Sequence, residues 1–394
     1  MLFVNLNAKI NGHQIALADA LSDILGNNYV FIEFDTKLRG QVGGFKDGTT
    51  GLDCYKDRPY ILNMYESKEN EEKAKELILK ADVIRTGGEP SELTFERIKE
   101  GKLTFRSTEH ILKGPLWRDL LRVYGINRKY ANYSYPNYRL LCQSAYVPRD
   151  LKYCITNWSN RCYKFAYFTR ILELDIDDII KTRRKDKIQI IWCARFLEWK
   201  HPELPLKLAK KLIETGRDNF EIQMIGTDTM PLWHKTKEKI TTMGLTSHVI
   251  LTGGLPNREV LERMRKSHIF LLTSDRGEGW GAVLNEAMGA GCACVASNET
   301  GAAPFLLKHK ENGLVFKSKS TKSLFENVAL LYDNPSFCYE LGKKAYQTIT
   351  TDWSARIAAE RLVLLSESIL SGDEIVFDDG PCSKAYPCDA SKLI

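Results

Sequence analysis

The sequence predicts an α/β protein made of two doubly wound parallel-sheet domains with a cleft between them. Three observations carry that expectation. Short apolar runs of strand length alternate with longer segments of helical period, the alternation occurs in both halves of the chain, and a polar stretch (ELDIDDIIKTRRKDK, 173–187) falls between the halves. Strands joined through helices pair in parallel, because each crossover returns the chain to the same edge. With 394 residues, of which 43% are hydrophobic and 27% charged, the chain has enough apolar material for two domains of ordinary size.

Taken in order, LFVNL (2–6) reads as a first strand, followed by a loop holding Asn11, Gly12 and His13 and a helix from about Gln14 to Leu25. YVFIEF (29–34), YILNMY (60–65), ADVIRT (81–86), LTFRST (103–108) and YRLLCQS (138–144) are further strand candidates, with helical period at 69–80 and 93–99. The second half repeats the plan, with strands near 188–194, 220–225, 248–251, 268–273 and 292–297. The expected division is a first domain over 1–174, a linker at 175–187, a second domain over 188–352, a helix at 353–370, and a tail at 371–394. That tail shows little periodicity and is expected to be poorly ordered.

Composition excludes several classes of protein. A formal charge of +6 is modest for this length and does not indicate a nucleic-acid binder. Ten cysteines are scattered without a paired CxxC spacing that would support zinc, and Cys193, Cys292 and Cys294 fall in or beside apolar strands, where free thiols pack as small hydrophobes. No run approaches the roughly 18 apolar residues of a membrane span, and MLFVNLNAKI does not read as a secretion leader, so the expected compartment is the cytoplasm.

The most informative stretch is TSDRGEGWGAVLNEAMGAGCACVAS (273–297). HIFLLT (268–273) reads as a buried strand, 274–281 as turn chemistry and 282–290 as helix, so a strand delivers a loop to a helix start. Glu278 falls in the loop and Glu286 a turn or so into the helix. Helical spacing would leave them about 80° apart even if both were helical, so they serve different parts of one ligand. A loop carboxylate suits a substrate hydroxyl, and Glu286 can accept two hydrogen bonds from a ribose diol. The amides of Gly281, Ala282 and Val283 at the helix start suit a phosphate, and Gly277, Gly279 and Gly281 let backbone approach closely. TGGLP, after the strand HVILT, offers Gly253, Gly254 and Leu255 as a platform for a flat base.

The order of TSDRGEGWG, NEAMGAGCACVAS, TGAAPFL and NGLVF resembles the donor-binding half of the retaining glycosyltransferases of family 4, which carry a Glu, seven residues, Glu signature on the GT-B fold. IIWCARFLEWKHPELPLKLAKKL (190–212) is similar to that family's strand, Arg, four residues, Lys and helix, which assigns Arg195 and Lys200. The resemblance is strong over about 188–365 and weak before it. Three departures stand out. Trp280 replaces a commoner phenylalanine, Lys200 is followed by His201 instead of glycine, and TGAAPFL lacks an acidic residue.

The resemblance implies a retaining, metal-independent hexosyltransferase, with the two-domain GT-B plan and the helix at 353–370 packing back on the first domain. Arg195, Lys200 and the helix amides would stabilise the departing diphosphate, each such donor contributing ~3 kcal/mol to the transition state. Glu278 would orient the donor sugar and Glu286 hold the ribose, with Gly279 and Trp280 lining the donor loop. His110, after LTFRSTE, would touch the donor sugar or the acceptor, and Gly12 offers a backbone contact from the first loop. No cofactor is implied beyond the nucleotide sugar as co-substrate, and Asp175 and Asp177 are not read as metal ligands. The acceptor would be a glycan or a lipid-linked one, in polysaccharide or glycolipid assembly. Residues 113–139 combine basic residues with Trp117 and several tyrosines, a pattern suited to peripheral contact with the inner face of an anionic membrane. The alternatives are a sugar-nucleotide-binding protein without transferase activity, or an epimerase or phosphorylase on the same plan.

Overall fold

A computed structural model describes residues 1–34, 57–87, 91–114, 116–130, 135–154, 156–158 and 160–394. The chain divides into two compact units. The first holds the chain up to Arg170 together with Asp352–Cys388, and the second holds Ile171–Thr351 with Asp389–Ile394.

In the first unit the elements run β1 (Phe3–Asn7), α1 (Ile15–Leu25), β2 (Tyr29–Glu33), β3 (Ile61–Asn63), α2 (Lys68–Lys80), β4 (Val83–Gly87), α3 (Ser91–Lys99), β5 (Leu103–Thr108), α4 (Leu116–Tyr130), β6 (Tyr138–Cys142), α5 (Val147–Asp150) and β7 (Cys162–Lys164). Among the described residues the strands form one parallel sheet of order β3-β2-β1-β4-β5-β6-β7. Val4, Leu6, Ile32, Ile84 and, from α2, Ala74 and Ile78 bury together, the strand residues alternating by two and the helix residues by four. Arg97 on α3 is fully buried and donates to the carbonyls of Ile78, Ala81 and Leu103, which pins the end of α2 and the start of β5.

The second unit runs α6 (Ile176–Thr182), β8 (Ile188–Cys193), α7 (Glu203–Glu214), β9 (Phe220–Ile225), α8 (Pro231–Thr242), β10 (Val249–Gly253), α9 (Asn257–Lys266), β11 (Ile269–Leu272), α10 (Val283–Gly289), β12 (Ala293–Ser297), α11 (Ala303–Leu306), β13 (Leu314–Phe316), α12 (Thr321–Asp333) and α13 (Pro335–Gln347). Its parallel sheet has the order β10-β9-β8-β11-β12-β13. Leu204, Leu208 and Leu212 of α7 lie four apart on one helix face and bury against Ile190, Trp192, Ile222 and Met224 of the sheet. Each such side chain contributes roughly 1.5–3 kcal/mol on leaving water.

Three expectations need correction. The polar stretch read as a linker is instead the helix α6, capped by the Asp175 carboxylate accepting from the amides of Asp177 and Asp178. It belongs to the second unit, where buried Arg183 donates to the carbonyls of Arg265, Ala290 and Gly291. The charges that suggested a linker are partnered, Asp178 with Lys181 of the same helix at 3.0 Å and Asp177 with Lys343 of α13 at 2.6 Å. The tail also differs from expectation. The helix expected at 353–370 is α14 (Ala355–Ser371), on α1 within the first unit, but beyond it the tail is tied down: Glu374 accepts from Tyr163 at 2.6 Å and Arg139 at 2.5 Å, while Lys384 bridges to Tyr163 at the β7 edge. Aperiodic sequence here means edge packing without regular structure. Finally, β7 and β13 are three-residue strands that were not anticipated, because so few residues show no period of two.

Candidate active site

In the second sheet β8 is followed outward by β9 and β10 on one side, while β11, β12 and β13 follow on the other. The order reverses between β8 and β11, which are directly paired through Ile190 and Ile269. Loops leaving the carboxyl ends of two such strands part in opposite directions, and the crevice they leave is where open α/β sheets bind ligands. The loops are 194–202 after β8 and 273–281 after β11, and they carry Arg195, Lys200, Glu278 and Gly281.

The two loops are stitched together. Trp192 Nε1 donates to Thr273 Oγ1 at 2.7 Å, Thr273 Oγ1 donates to the Lys200 carbonyl at 2.5 Å, and the Asp275 amide donates to the Trp199 carbonyl at 2.9 Å. Gly277 lies against Trp199 so closely that an added Cβ would stand 2.6 Å from the Trp199 Cβ, which explains the glycine. Gly281 has φ +95°, a conformation open to glycine, and this bend turns the loop into α10.

Lys200 Nζ is in direct ion-pair contact with Glu278 Oε2, which also accepts from Ser274 Oγ at 3.0 Å. The two side chains are 12% and 14% exposed, so the pair stands at a lined surface where a ligand can still compete for either partner. Glu286, half-buried on α10, accepts from Asn257 Nδ2 at 3.1 Å. Burial lifts its carboxyl above the usual range, Asn257 opposing. The Cys193 thiol at the end of β8 is pushed up to about 12 by burial first and then by Glu286, with Lys200 opposing. Glu286, Lys200 and Glu278 therefore gather at one strand end.

Arg195 is exposed, and its side chain makes no hydrogen bond or ion pair with the described residues. Trp280 is buried, its Nε1 donating to Asn285 Oδ1 at 2.9 Å, and its carbonyl accepts from the Ala302 amide at 3.1 Å. The indole thus supports the loop 273–281 from behind and ties it to the loop 300–303. Gly279 is buried beside it, and Ala282 and Val283 are half-buried at the start of α10. At the end of β10 the Gly253 carbonyl accepts from the Gly226 amide at 3.1 Å, and Gly254 lies over Thr227, with half-buried Leu255 following. A hollow of about 690 Å³ lined by Gln189, Gln223, Glu259, Arg263 and Lys266 contains none of these residues.

In the first unit, Gly12 is exposed in the turn between β1 and α1. His110, just after β5, is 2% exposed, its Nδ1 lying 2.8 Å from Ser144 Oγ and its ring edge-on to Tyr146. Asn257, Ser274, Asp275 and Trp199 were not read as site residues from the sequence. Their partners lie up to 78 residues away, and the signal nearest to them was the histidine standing where the family has glycine.

Comparison with known proteins agrees with this geometry. The fold matches a glycosyltransferase from Rickettsia africae with TM-score 0.65 at 14% identity, covering 93% of this chain and 98% of that one. It also matches Anabaena HepE in complex with UDP and glucose with TM-score 0.64 at 13% identity, covering 94% and 100%. The protein is a GT-B chain. Residues 175–348, in its second unit, match the model of the glycosyl transferases group 1 family. Among curated relatives, a GDP-mannose-dependent alpha-(1-6)-phosphatidylinositol monomannoside mannosyltransferase of Mycobacterium tuberculosis is 28% identical over 137 residues, 33% of this chain and 34% of that protein. An exopolysaccharide phosphotransferase of Streptomyces coelicolor is 27% identical over 141 residues, 36% of this chain and 14% of that protein. The chain thus matches about a third or less of either relative's length.

Proposed function

We propose that the protein transfers a hexose from a nucleoside diphosphate sugar to a glycan or lipid-linked acceptor, with retention at the anomeric carbon and without a metal ion. The anomeric carbon–oxygen bond to the diphosphate breaks, a bond to the acceptor oxygen forms on the same face, and the acceptor proton passes to the departing phosphate oxygen. Charge grows on that diphosphate, so groups that favour it in the transition state accelerate transfer. In this reading Lys200 and Arg195 face the diphosphate together with the amides of Gly281, Ala282 and Val283. Glu278 orients the sugar, Glu286 holds the ribose, and Gly253, Gly254 and Leu255 lie against the base. His110, its ring held by Ser144, and Gly12 in the loop after β1 keep the roles that the family resemblance implies for them.

The observation that carries the reading is the Lys200–Glu278 pair at the switch point, on the loop that leads into the helix bearing Glu286. A cation for the phosphate and an acceptor for a sugar hydroxyl already neutralise each other there, and a ligand bearing both groups replaces the pair without stranding a charge. The bound UDP and glucose of HepE support a donor of this class.

Peripheral contact with the inner face of a membrane belongs to the same proposal, and α4 supports it. Trp117, Leu120, Leu121 and Tyr124 are 61%, 60%, 66% and 69% exposed at i, i+3, i+4 and i+7, so one helix face is apolar and bare. Arg118 and Arg122 flank it, whereas Asp119 turns inward to accept from the Gly114 amide. Residues 115 and 131–134 of the stretch lie outside the described residues. Among the described residues no helix is long and apolar enough to cross a membrane. The test of the transfer reading is thermal stabilisation across a panel of nucleotide sugars, followed by product analysis with the one that binds. Absence of stabilisation by every member would remove the reading.

A further inference from the structure

Lys200 is followed by a residue in the left-handed region, His201 at φ 51°. That backbone suits glycine, and a histidine there is strained unless its surroundings hold it. Both ring nitrogens are held. Nδ1 lies 3.0 Å from Glu203 Oε1 and Nε2 lies 3.0 Å from Asp275 Oδ2. Ionised carboxylate oxygens only accept, so each nitrogen must carry a proton and the ring is an imidazolium.

Asp275 is the hub of the loop that bears Glu278. One of its oxygens accepts from the Gly277 amide at 2.8 Å, and the other meets His201 and, at 2.9 Å, Lys319. Its own amide donates to Trp199 and its carbonyl accepts from the Glu278 amide, both at 2.9 Å. The imidazolium thus joins the turn after β8 and the first residue of α7 to the segment 275–278.

We propose that His201 is a positioning residue for the donor-sugar end of the site. As a cation it locks Asp275 against the turn that carries Lys200, so that Lys200 and Glu278 remain in register for the incoming ligand. The consequence for sugar transfer rests on the function proposed above, whereas the lock itself rests on the geometry alone. The charged groups around the ring are Asp275 from the β11–α10 loop and Glu203 from α7. Lys319, before α12, faces the same Asp275 oxygen and is itself near Glu299, while Lys200 and Glu278 lie next along the two loops. Asp275 first, then Glu203, raise the imidazole to about 9 against burial. The lock is therefore complete at neutral pH. It opens as pH rises through about 9, when the neutral ring keeps one N–H and releases one carboxylate.

The test is amide hydrogen exchange, read by mass spectrometry on the full chain over 274–281, for wild type, His201→Asn, His201→Gly and Asp275→Asn. Asparagine and glycine both accept the left-handed backbone, so these variants separate loss of the lock from loss of fold. Exchange at this segment should quicken about tenfold in all three variants, the loss expected for a charge-assisted hydrogen bond. In wild type, corrected for intrinsic rates, protection should fall across about pH 9, and in His201→Asn it should not. Unchanged protection in the two His201 variants, or a pH step that survives in His201→Asn, overturns the proposal. Calorimetric titration with UDP-glucose and with GDP-mannose separates the two readings. If exchange responds, the lock stands whether or not either ligand binds, and the transfer reading is decided by the full panel of nucleotide sugars; if one binds and exchange does not respond, the lock falls alone.

Discussion

Glu286 Oε1 accepts a hydrogen bond from Asn257 Nδ2 at 3.1 Å, joining the helix after the donor loop to the helix after the TGGLP loop. A diol that donates two hydrogen bonds needs the ionised carboxylate, and burial raises this carboxyl. Glu286→Gln should therefore weaken nucleotide-sugar binding by about 10- to 100-fold, the scale of lost charge-assisted hydrogen bonds. In wild type, affinity should fall with decreasing pH and begin to do so above the usual glutamate range. Calorimetry across pH on both proteins checks this, and a flat wild-type profile would contradict it.

The Lys200–Glu278 pair makes separable predictions. Lys200→Ala leaves a mostly enclosed carboxylate without its cation and should cost about 1–3 kcal/mol of stability. It should lower kcat about 100-fold with a smaller change in KM, as expected of a group that meets charge developing in the transition state. Glu278→Gln should spare stability more, because the amide keeps an oxygen that accepts from Lys200 and Ser274. Chemical denaturation with steady-state kinetics reads both, and equal losses in stability and kcat for the two variants would contradict the assignment.

Close approach of Gly277 to Trp199 predicts that Gly277→Ala destabilises the protein by about 1–3 kcal/mol, the usual cost of overpacking. Trp199→Gly in the same chain should return much of that loss, because it removes the Cβ together with the indole. A double-mutant cycle in urea measures the coupling, and strict additivity would show that the contact is not the cause.

On α4, Leu120→Ser with Leu121→Ser should abolish sedimentation with vesicles of phosphatidylglycerol and phosphatidylcholine, while Arg118→Glu with Arg122→Glu should abolish it only where the anionic lipid supplies the attraction. The leucine variant should keep the wild-type melting temperature, because both side chains face solvent, whereas Arg122→Glu also loses contacts to the Ile111 carbonyl and Asp119 and should melt somewhat lower. Unchanged vesicle binding in both would remove membrane contact from the proposal.

His268 predicts a pH window for stability. Burial first, then Arg183, depress its pKa to about 4, and Nδ1 accepts from the Gln189 amide at 3.0 Å. The folded protein thus favours the neutral ring. Its contribution is complete above the unfolded value of 6.5 and is lost as pH falls towards about 4, because the unfolded chain takes up the proton first. The loss is on the order of 3 kcal/mol. His268→Gln should lack this part of the slope, so the gap between wild type and variant narrows from pH 7 to pH 4; a constant gap in denaturation midpoints would refute it.

Much of this architecture was legible before any coordinates. The strand–loop–helix at 268–290 appears as read, with α10 at Val283–Gly289, because apolar runs, turn glycines and helical period are local signals. Glu278, Glu286 and Lys200 could be singled out for the same reason. Asp275 could not, since nothing near it in sequence indicates the His201 ring 74 residues earlier. Charge density at 173–187 misled in the opposite direction: a helix that satisfies its acids by capping and ion pairing has the composition of a linker.

The amino-acid order by itself determined the two parallel sheets, the position of the glycine-rich donor loop and the kinds of side chain it carries, since each depends on neighbours a few residues apart. Only the tertiary structure decided that the turn after β8 meets the loop after β11, that Lys200 pairs with Glu278, and that His201 occupies a left-handed position between two acids. The physical reason is strand order. Pairing β8 with β11 brings residues 78 apart into contact, and no local pattern records which strand will lie beside which.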